Sequence, residues 1–213
     1  MVIKRLRLRE HVNPLSRRYQ VPTPPPSWSA VYANPDLPLS LDIGCGHGEY
    51  LLAMAQVYRD RNFLGIEIRK PLVEQANAVK DALGLQNLYY LFANVNVSLG
   101  GLFTKPWLNE VTIQFPDPWF KRKQRKRRMV NAALVATLIK FLLPSARILL
   151  QSDMDWLLAE MKDCFLGFPQ FRELPTYPEH IPTDRETMTL RRGFPVYRCA
   201  LVYESEHPPC PPI

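Results

Sequence analysis

Cysteine is scarce in this 213-residue sequence, and the four cysteines at positions 45, 164, 199 and 210 include no C-x-x-C pair. No histidine stands at the spacing of zinc ligands, so we expect no bound metal. The sequence has no apolar run near the roughly 18 residues that a membrane span needs. Residues 1–10 lack the apolar centre of a signal peptide. These absences favour a protein of the reduced cytoplasm, with no membrane partner.

Positive charge is concentrated in two places rather than spread along the chain. The formal net charge is +7. Residues 121–128 read K-R-K-Q-R-K-R-R, and residues 1–18 hold six basic residues against one Glu. The rest of the chain is therefore mildly acidic. This pattern is typical of docking on a polyanion, although a solvated charged loop or a localisation signal is an alternative.

Proline accounts for 21 of the 213 residues, which is about twice the usual share. Many of these prolines lie in residues 22–38 and 208–212, so we expect little regular structure at either end. We therefore predict a basic, proline-rich arm over residues 1–36, a folded domain over 37–204 and a proline-rich tail over 205–213.

Within the predicted domain, short apolar segments alternate with segments of helical spacing. The pattern predicts strands at 39–43, 62–67, 87–92, 111–115, 146–151 and 194–203, and helices at 49–58, 71–83, 129–142 and 153–165. Pro71 suits a first helical turn, and Gly84 and Pro144 are expected to end helices. The alternation predicts an α/β fold with a parallel sheet and helices on both faces, which binds ligands at the carboxyl ends of its strands.

A glycine-rich turn, L-D-I-G-C-G-H-G at residues 41–48, follows the first predicted strand. Its G-x-G-x-G spacing differs from the G-x-G-x-x-G of dinucleotide sites, and Gly44 lets a ligand lie close to the backbone. Asp42 is placed to hold an ammonium group, Glu67 two ribose hydroxyls and Asn94 an adenine edge. We interpret these residues as a site for S-adenosylmethionine. The alternatives are a tight turn without a ligand, a nicotinamide or flavin site, a surface charge at Glu67 and a turn residue at Asn94.

The fourth predicted strand runs into F-P-D-P-W-F-K at residues 115–121. The two prolines stiffen this loop and aim the carboxylate of Asp117. Trp119 and Phe120 adjoin the basic run, and aromatic rings beside positive charge suit base stacking and phosphate contact in RNA. The alternative is a proline-rich turn with a hydrophobic anchor.

Four motifs together resemble those of the bacterial tRNA (guanine-N7)-methyltransferase family. They are L-D-I-G-C-G-H-G-E at 41–49, G-I-E-I-R at 65–69, F-P-D-P-W-F-K at 115–121 with its basic run, and T-D-R-E at 183–186 followed by Gly193. The glycine motif is shared by many methyltransferases, whereas Asp-Pro-Trp with a basic run is far more specific.

This resemblance implies the class I SAM-dependent methyltransferase fold, Rossmann-like, with a mostly parallel seven-stranded sheet. It implies tRNA as the partner and the variable-loop guanosine at position 46 as the methylated nucleotide, and the sequence requires no protein partner. The implied cofactor contacts are Asp42, Gly44, Glu67, Asn94 and Asp117; the implied substrate contacts are Lys121, Asp153, Thr183, Asp184, Arg185 and Glu186. The family often has Glu in place of Asp42, Asp in place of Asn94 and Pro in place of Phe120.

The implied reaction needs no strong base, because guanine N7 carries an in-plane lone pair. Asp117 is the expected catalytic residue. It either stabilises the positive charge that develops on the guanine or accepts hydrogen bonds that select the base, and both roles stay open.

Other predicted residues have simpler structural alternatives. Cys45 is expected to pack, Asp153 is alternatively the N-cap of its helix, and Thr183 and Glu186 alternatively belong to a polar loop. The rival functions are methylation of a protein, a small molecule or another RNA site, and a non-catalytic RNA-binding module.

Overall fold

Seven strands form one sheet in the computed structural model, which describes residues 12–205. They are β1 (Leu39–Ile43), β2 (Asn62–Glu67), β3 (Leu88–Phe92), β4 (Leu108–Gln114), β5 (Leu142–Ser152), β6 (Phe171–Glu173) and β7 (Tyr197–Tyr203). Their order is β3-β2-β1-β4-β5-β7-β6, in which β7 runs antiparallel to both its neighbours and the other pairs are parallel. The strand order reverses between β1 and β4, which is where such sheets bind ligands. The predicted fold class is confirmed.

Helices cover both faces of the sheet. They are α1 (Trp28–Val31), α2 (Glu49–Val57), α3 (Lys70–Ala82), α4 (Val95–Ser98), α5 (Ala132–Ile139), α6 (Asp155–Leu166) and α7 (Asp184–Arg191), with 3-10 helices at Arg17–Tyr19, Leu99–Gly101 and Arg122–Arg127. Successive side chains of a strand point to opposite faces. Phe63 of β2 therefore packs with α2 and α3, while Leu64 and Ile66 join the larger cluster that contains α5 and α6. None of the helices within residues 12–205 has the length and apolar character of a membrane span.

Part of the proline-rich arm packs into the larger core. Tyr32 is 2% exposed, and its hydroxyl donates to the Phe63 carbonyl oxygen at 3.0 Å. The Trp28 ring stacks on the rings of Tyr32 and Phe103, and its Nε1–H donates to the Leu102 carbonyl oxygen. The domain boundary at residue 37 stays a prediction, but these aromatic residues before it share the core of the domain.

The remaining ends of the chain are outside the structure. Residues 1–11, with most of the basic residues of the predicted arm, and residues 206–213, with Cys210, lie outside the described residues.

The predicted helix over residues 129–142 is wrong at both ends, because α5 begins at Ala132 and ends at Ile139. Pro144 does not end a helix; it lies inside β5. The pairing of β4 with β5 shifts register after Leu108, which leaves extra residues of β5 in a bulge around Ser145, whose φ is 65°. Proline is tolerated at such bulges, where a ladder hydrogen bond is already missing.

Candidate active site

A cavity of about 590 Å³ opens at the carboxyl ends of β1, β2, β3 and β4. Parallel strands bring their carboxyl ends to one edge of the sheet, so four segments distant in sequence meet there. The cavity therefore unites most of the predicted cofactor residues with Asp117. Its lining includes Gly44, Glu67, Arg69, Asn94, Gln114, Asp117, Trp119 and Arg127.

The glycine-rich turn adopts backbone angles that favour glycine. Gly44, Gly46 and Gly48 have φ values of 82°, 57° and 77°. A Cβ atom on Gly48 would lie 2.5 Å from the Tyr90 ring, whereas a Cβ on Gly46 would meet nothing within 4 Å. The Tyr90 hydroxyl also donates to the Gly48 carbonyl oxygen at 2.5 Å. The turn is thus supported from below by Tyr90 and is open on the side of Gly46.

Glu67 joins the glycine turn to the end of β2. Its side chain is 4% exposed, and Oε2 accepts a hydrogen bond from the Gly46 amide at 3.0 Å. Arg69 forms a bidentate pair with the same carboxylate, Nε to Oε1 and Nη2 to Oε2, both at 3.0 Å. A paired charge tolerates burial. Glu67 is therefore a fixed carboxylate at the cavity wall, not a solvated surface charge.

Asp42 lies beneath the cavity. It is 4% exposed, and its Oδ1 accepts a hydrogen bond from the Thr112 hydroxyl at 2.7 Å. Burial raises the pKa of Asp42 to about 6. Thr112 and Gln114 oppose this rise, whereas the negative charge of Glu67 adds to it. A cation brought to this part of the site would favour the ionised carboxylate.

Asn94 lines the cavity, and its side chain also holds the N-terminal segment. Its Nδ2 donates to the carbonyl oxygens of Pro14 and Tyr19 at 3.1 and 3.0 Å, and its Oδ1 accepts from the Asn96 amide at the start of α4. Val12 and Pro14 lie in the cavity lining as a result. The predicted contact of Asn94 with an adenine edge stays a prediction.

Two hydrogen-bond donors are left without a protein acceptor at the cavity. Within residues 12–205, Gln114 Nε2 and Arg127 Nε are buried and lack a partner at hydrogen-bonding geometry, and both residues line the cavity. The Gln114 side chain nevertheless lies close enough to Asp42 to lower the pKa of that carboxyl. A buried donor without a partner is costly. These donors therefore fit a ligand that brings an acceptor such as a carboxylate.

Residues 115–121 form the Asp117 loop, and its backbone is strained on both sides of Asp117. Phe115 and Trp119 have φ values of 49° and 45°, a region in which bulky side chains are rare. Arg128 stabilises this conformation, because its Nε donates to the Pro118 carbonyl oxygen at 2.9 Å and its Nη1 pairs with Glu160. Backbone strain of this kind is concentrated at functional sites, which favours a functional loop, although the role of Asp117 stays a prediction.

The basic run forms the 3-10 helix Arg122–Arg127, and its cations face different ways. Lys121, Arg122, Lys123, Arg125 and Lys126 are exposed. Arg127 lies 5.0 Å from the centroid of the Trp119 ring, and Arg128 points inward with 11% of its side chain exposed. The run is thus an exposed cationic surface whose last two residues support the Asp117 loop.

Asp153 and Arg185, predicted as substrate contacts, form an ion pair at 2.6 Å although 32 residues separate them. Asp153 is not the N-cap of α6, because that position is Met154, whose amide donates to the Ser152 hydroxyl. The pair fixes the start of α7 beside the carboxyl end of β5.

The other predicted substrate residues lie at the start of α7. The Thr183 hydroxyl caps this helix by accepting from the Glu186 amide at 3.0 Å, and Asp184 in the first turn is exposed. Glu186 is 2% exposed and binds His180, Gln151 and Arg198 through its carboxylate. Burial acts to raise the pKa of Glu186, but the hydrogen bonds from Arg198 and His180 outweigh it and hold that pKa below its usual value. In this structure Glu186 orders the protein rather than facing open space.

Sequence reasoning missed the supporting residues Arg69, Tyr90 and Arg128. Arg69 stands two positions after Glu67 and has a visible signal, since a cation so close can pair with that carboxylate. Tyr90 supports the glycine turn from β3, and Arg128 supports the Asp117 loop from the end of the basic run. Neither an alternating strand pattern nor a run of positive charge shows which residue makes such a contact. Cys45 packs beside Gly65, as expected. Across residues 12–205, no cluster of three or more His, Cys, Asp or Glu side chains has the arrangement of a metal site.

Residues 36–198 match the family model described as "Putative methyltransferase". Solved structures share the fold at low identity. A 16S rRNA methyltransferase, KamB, superposes with a TM-score of 0.56 and 17% identity over 83% of this chain and 90% of that one. The aminoglycoside resistance methyltransferase NpmB1 superposes with a TM-score of 0.54 and 16% identity over 82% of this chain and 89% of that one.

Relatives at much higher identity carry one name, tRNA (guanine-N(7)-)-methyltransferase. The protein from Synechococcus sp. (strain JA-3-3Ab) is 54% identical, covering 90% of this chain and 84% of that protein. The protein from Thermosynechococcus vestitus is 47% identical, covering 91% of this chain and 93% of that protein. Identity of this level over nine tenths of the chain places the protein in the tRNA (guanine-N7)-methyltransferase family.

Proposed function

We propose that this protein transfers a methyl group from S-adenosylmethionine to N7 of a guanosine in tRNA, at position 46 of the variable loop. The observation that carries this proposal is the cavity at the carboxyl edge of the sheet. Its wall combines the glycine turn, Glu67 and Asp117, and an exposed basic run begins four residues after Asp117. The names of the relatives supply the choice of tRNA and of guanine N7.

The cavity residues fit the chemical groups of this cofactor. Glu67 would accept hydrogen bonds from ribose hydroxyls in exchange for those of Arg69, and Asp42 would attract the ammonium group. The buried donors of Gln114 and Arg127 fit the carboxylate of the same amino acid moiety. When bound, S-adenosylmethionine supplies a methyl group on a sulfonium centre.

Asp117 is the proposed catalytic residue. Guanine N7 has its lone pair in the ring plane, so the protein removes no proton before the reaction. Methylation leaves positive charge on the ring, and a carboxylate nearby stabilises that charge as it develops. The prolines on either side and the strained loop fix the backbone at Asp117, whose exposed side chain lines the cavity. Fixing the backbone favours the orientation that such a reaction needs.

The tRNA is proposed to lie across the edge of the sheet that carries the basic run. Lys121 is exposed and adjoins the Asp117 loop, so it suits a phosphate of the target nucleotide. The same edge continues beyond β5 with the other predicted substrate contacts, Asp153, Thr183, Asp184 and Arg185. The buried carboxylate of Glu186 stabilises this region through its contacts with His180 and Arg198. A tRNA substrate also agrees with the cytoplasmic setting that the sequence predicts.

The proposed function is tested by methyl transfer from labelled cofactor to synthetic tRNA. One transcript carries guanosine and a matched one carries 7-deazaguanosine at the variable-loop position. We expect label in the first transcript only, because 7-deazaguanosine lacks the N7 lone pair. Labelling of both transcripts, or of protein extract in preference to tRNA, contradicts the proposal.

Replacement of Asp117 by Asn tests the proposed catalytic residue. Loss of the charge is expected to lower kcat about 100-fold or more, since one electrostatic group near the reacting atoms contributes that much. The Kd of the cofactor should change less than about threefold. Single-turnover transfer and calorimetry measure the two effects separately, and an unchanged kcat contradicts both roles considered for Asp117.

A further inference from the structure

Two aromatic rings lie exposed beside the basic run. Phe120 is 67% exposed and Trp156 is 41% exposed. Their ring centroids are 6.2 Å apart, although the residues come from the Asp117 loop and from the first turn of α6. A single exposed apolar residue is common. Two adjoining exposed rings beside a candidate active site instead indicate a binding surface.

The rings continue into a fixed row of planar groups. The guanidinium of Arg128 lies 4.7 Å from the centroid of the Trp156 ring, and Trp156 in turn adjoins Phe120. Arg128 is itself held by the Pro118 carbonyl oxygen and by Glu160. The row therefore begins at Arg128, whose side chain is 11% exposed, and ends at the exposed Phe120 ring, which is tilted by 53° to the ring of Trp156.

Trp119, the other aromatic residue of the motif, does not provide such a face. It is half-buried, lines the cavity and carries the guanidinium of Arg127 at 5.0 Å from its ring centroid. Phe120 and Trp156 are thus the exposed aromatic pair, and Trp156 has no place in the sequence motif.

The surroundings of the pair specify the kind of ligand. Lys121, Arg122 and Lys123 follow Phe120 directly and are exposed. A ligand that matches both features has a planar apolar face and a negative charge close to it. An unpaired nucleotide of RNA has this combination, and stacking of its base on aromatic rings is the usual way in which proteins hold it.

We propose that Phe120 and Trp156 form a stacking platform for an unpaired tRNA base next to the methylated guanosine. The proposal rests on tRNA being the substrate. The base stacks on the exposed Phe120 ring beside Trp156, while the cations of the basic run contact the flanking phosphates. Phe120 stands three residues after Asp117, so a stacked neighbour would position the target base at the catalytic loop.

A double-mutant cycle tests the platform and locates the base. Wild type and Phe120→Ala are titrated with synthetic tRNAs that carry an abasic residue at one variable-loop position at a time. On intact tRNA we expect Phe120→Ala to raise Kd about 10-fold. At one position the abasic tRNA should weaken wild type by a similar factor and leave Phe120→Ala unaffected. Additive losses at every position overturn the proposal.

Two matched variants separate stacking from charge. Phe120→Tyr keeps a ring and should bind within about twofold of wild type, whereas Phe120→Leu keeps apolar area without a ring and should resemble Phe120→Ala. The slope of log Kd against log salt should not change in Phe120→Ala, because no counterions are involved. Lys123→Ala should lower that slope by about one. A reduced slope in Phe120→Ala, or wild-type binding by Phe120→Leu, overturns the proposal.

Three controls complete the experiment. Tyr58→Ala removes an exposed aromatic ring near the amino end of β3, away from the carboxyl ends that form the cavity, and should leave Kd unchanged. Vesicles of anionic phospholipid test the other surface that attracts aromatic and basic side chains; Phe120-dependent binding to vesicles without an effect on tRNA overturns the proposal. Wild-type methylation is measured in the same samples. Its absence refutes the proposed function, whereas methylation by wild type with no effect of Phe120→Ala on Kd refutes only the platform.

Discussion

Asp42 is an acidic residue in surroundings that disfavour its charge. It is buried beneath the glycine turn, where the Thr112 hydroxyl donates to it at 2.7 Å and Gln114 lies close. Burial outweighs both of these side chains and raises the pKa of Asp42 to about 6. The folded protein therefore binds the Asp42 proton more tightly than the unfolded chain does. Stability from this residue is present at low pH and is lost as the pH rises from about 4 through 6. Retaining a carboxylate here at neutral pH is consistent with a role in binding.

Replacement of Asp42 by Asn should stabilise the protein and weaken cofactor binding. Without the buried charge, the free energy of unfolding should rise by on the order of 3 kcal/mol at pH 8 and by about half as much at pH 5. Urea unfolding at both pH values measures the difference. An Asn variant that is less stable than wild type at pH 8 contradicts the expected cost of the charge.

Cofactor binding to wild type should depend on pH for the same reason. The ionised form of Asp42 attracts an ammonium group, so Kd should fall about 10-fold between pH 5 and pH 7 as the residue loses its proton. Asp42→Asn should bind more weakly at pH 7 and lose this dependence. Calorimetric titration measures both proteins, and an equal pH dependence in the two would assign the effect to another group.

At the scale of elements, the Asp117 loop depends on a cation of the basic run. Arg128 donates to the Pro118 carbonyl oxygen and pairs with Glu160 on α6. It thereby joins the end of β4 to the helix that follows β5. The basic run therefore has two roles in the structure, since Arg122 and its exposed neighbours face the solvent while Arg128 supports the strained loop.

Arg128→Ala should lower kcat more than it weakens tRNA binding, because the loop loses the donor that fixes the Pro118 carbonyl. We expect a loss of about 10- to 100-fold in kcat, which corresponds to roughly 1–3 kcal/mol. Arg128→Lys should not restore activity, since an ammonium group lacks the planar set of N–H donors with which the guanidinium contacts both the Pro118 carbonyl oxygen and Glu160. Arg122→Ala serves as the matched control and should raise the KM for tRNA with little change in kcat. Equal effects of the two Ala variants would contradict the division of roles.

The same elements show what a sequence pattern can and cannot predict. The ends of β1, β2 and β4 follow from local apolar runs bounded by glycine or proline, so Gly44, Glu67 and Asp117 could be placed together. Contacts between elements leave no local pattern, and nothing marks Arg128 as the inward cation of its run. The end of α5 also escaped prediction, because burial of the start of β5 overrides the expected effect of Pro144. Neither β6 nor α7 is predicted by periodicity, since β6 has three residues and α7 is mostly polar.

For the whole molecule, the described part of the N-terminal arm belongs to both the core and the site. The rings of Trp28 and Tyr32 pack with those of Phe103 and Trp107 in the larger cluster. Nearer the N-terminus of the arm, the Pro14 carbonyl oxygen accepts a hydrogen bond from the Asn94 side chain at the cavity. Residues that composition assigns to an irregular arm thus close one side of the cavity, and their fixation depends on aromatic packing.

Trp28→Ala should therefore destabilise the whole protein in one transition. Removal of the ring leaves a cavity between Tyr32, Phe103 and Trp107 and an unsatisfied Leu102 carbonyl oxygen, which should cost roughly 2–4 kcal/mol. Tyr58→Ala, at an exposed ring directly after α2, should cost less than about 1 kcal/mol. Urea unfolding followed by circular dichroism and by tryptophan fluorescence measures both variants. Coincident transitions shifted to lower urea are expected, because one core holds the arm and the sheet together. An unshifted transition, or a separate early transition seen by fluorescence alone, would instead support a domain that begins at residue 37 with the arm merely resting on it.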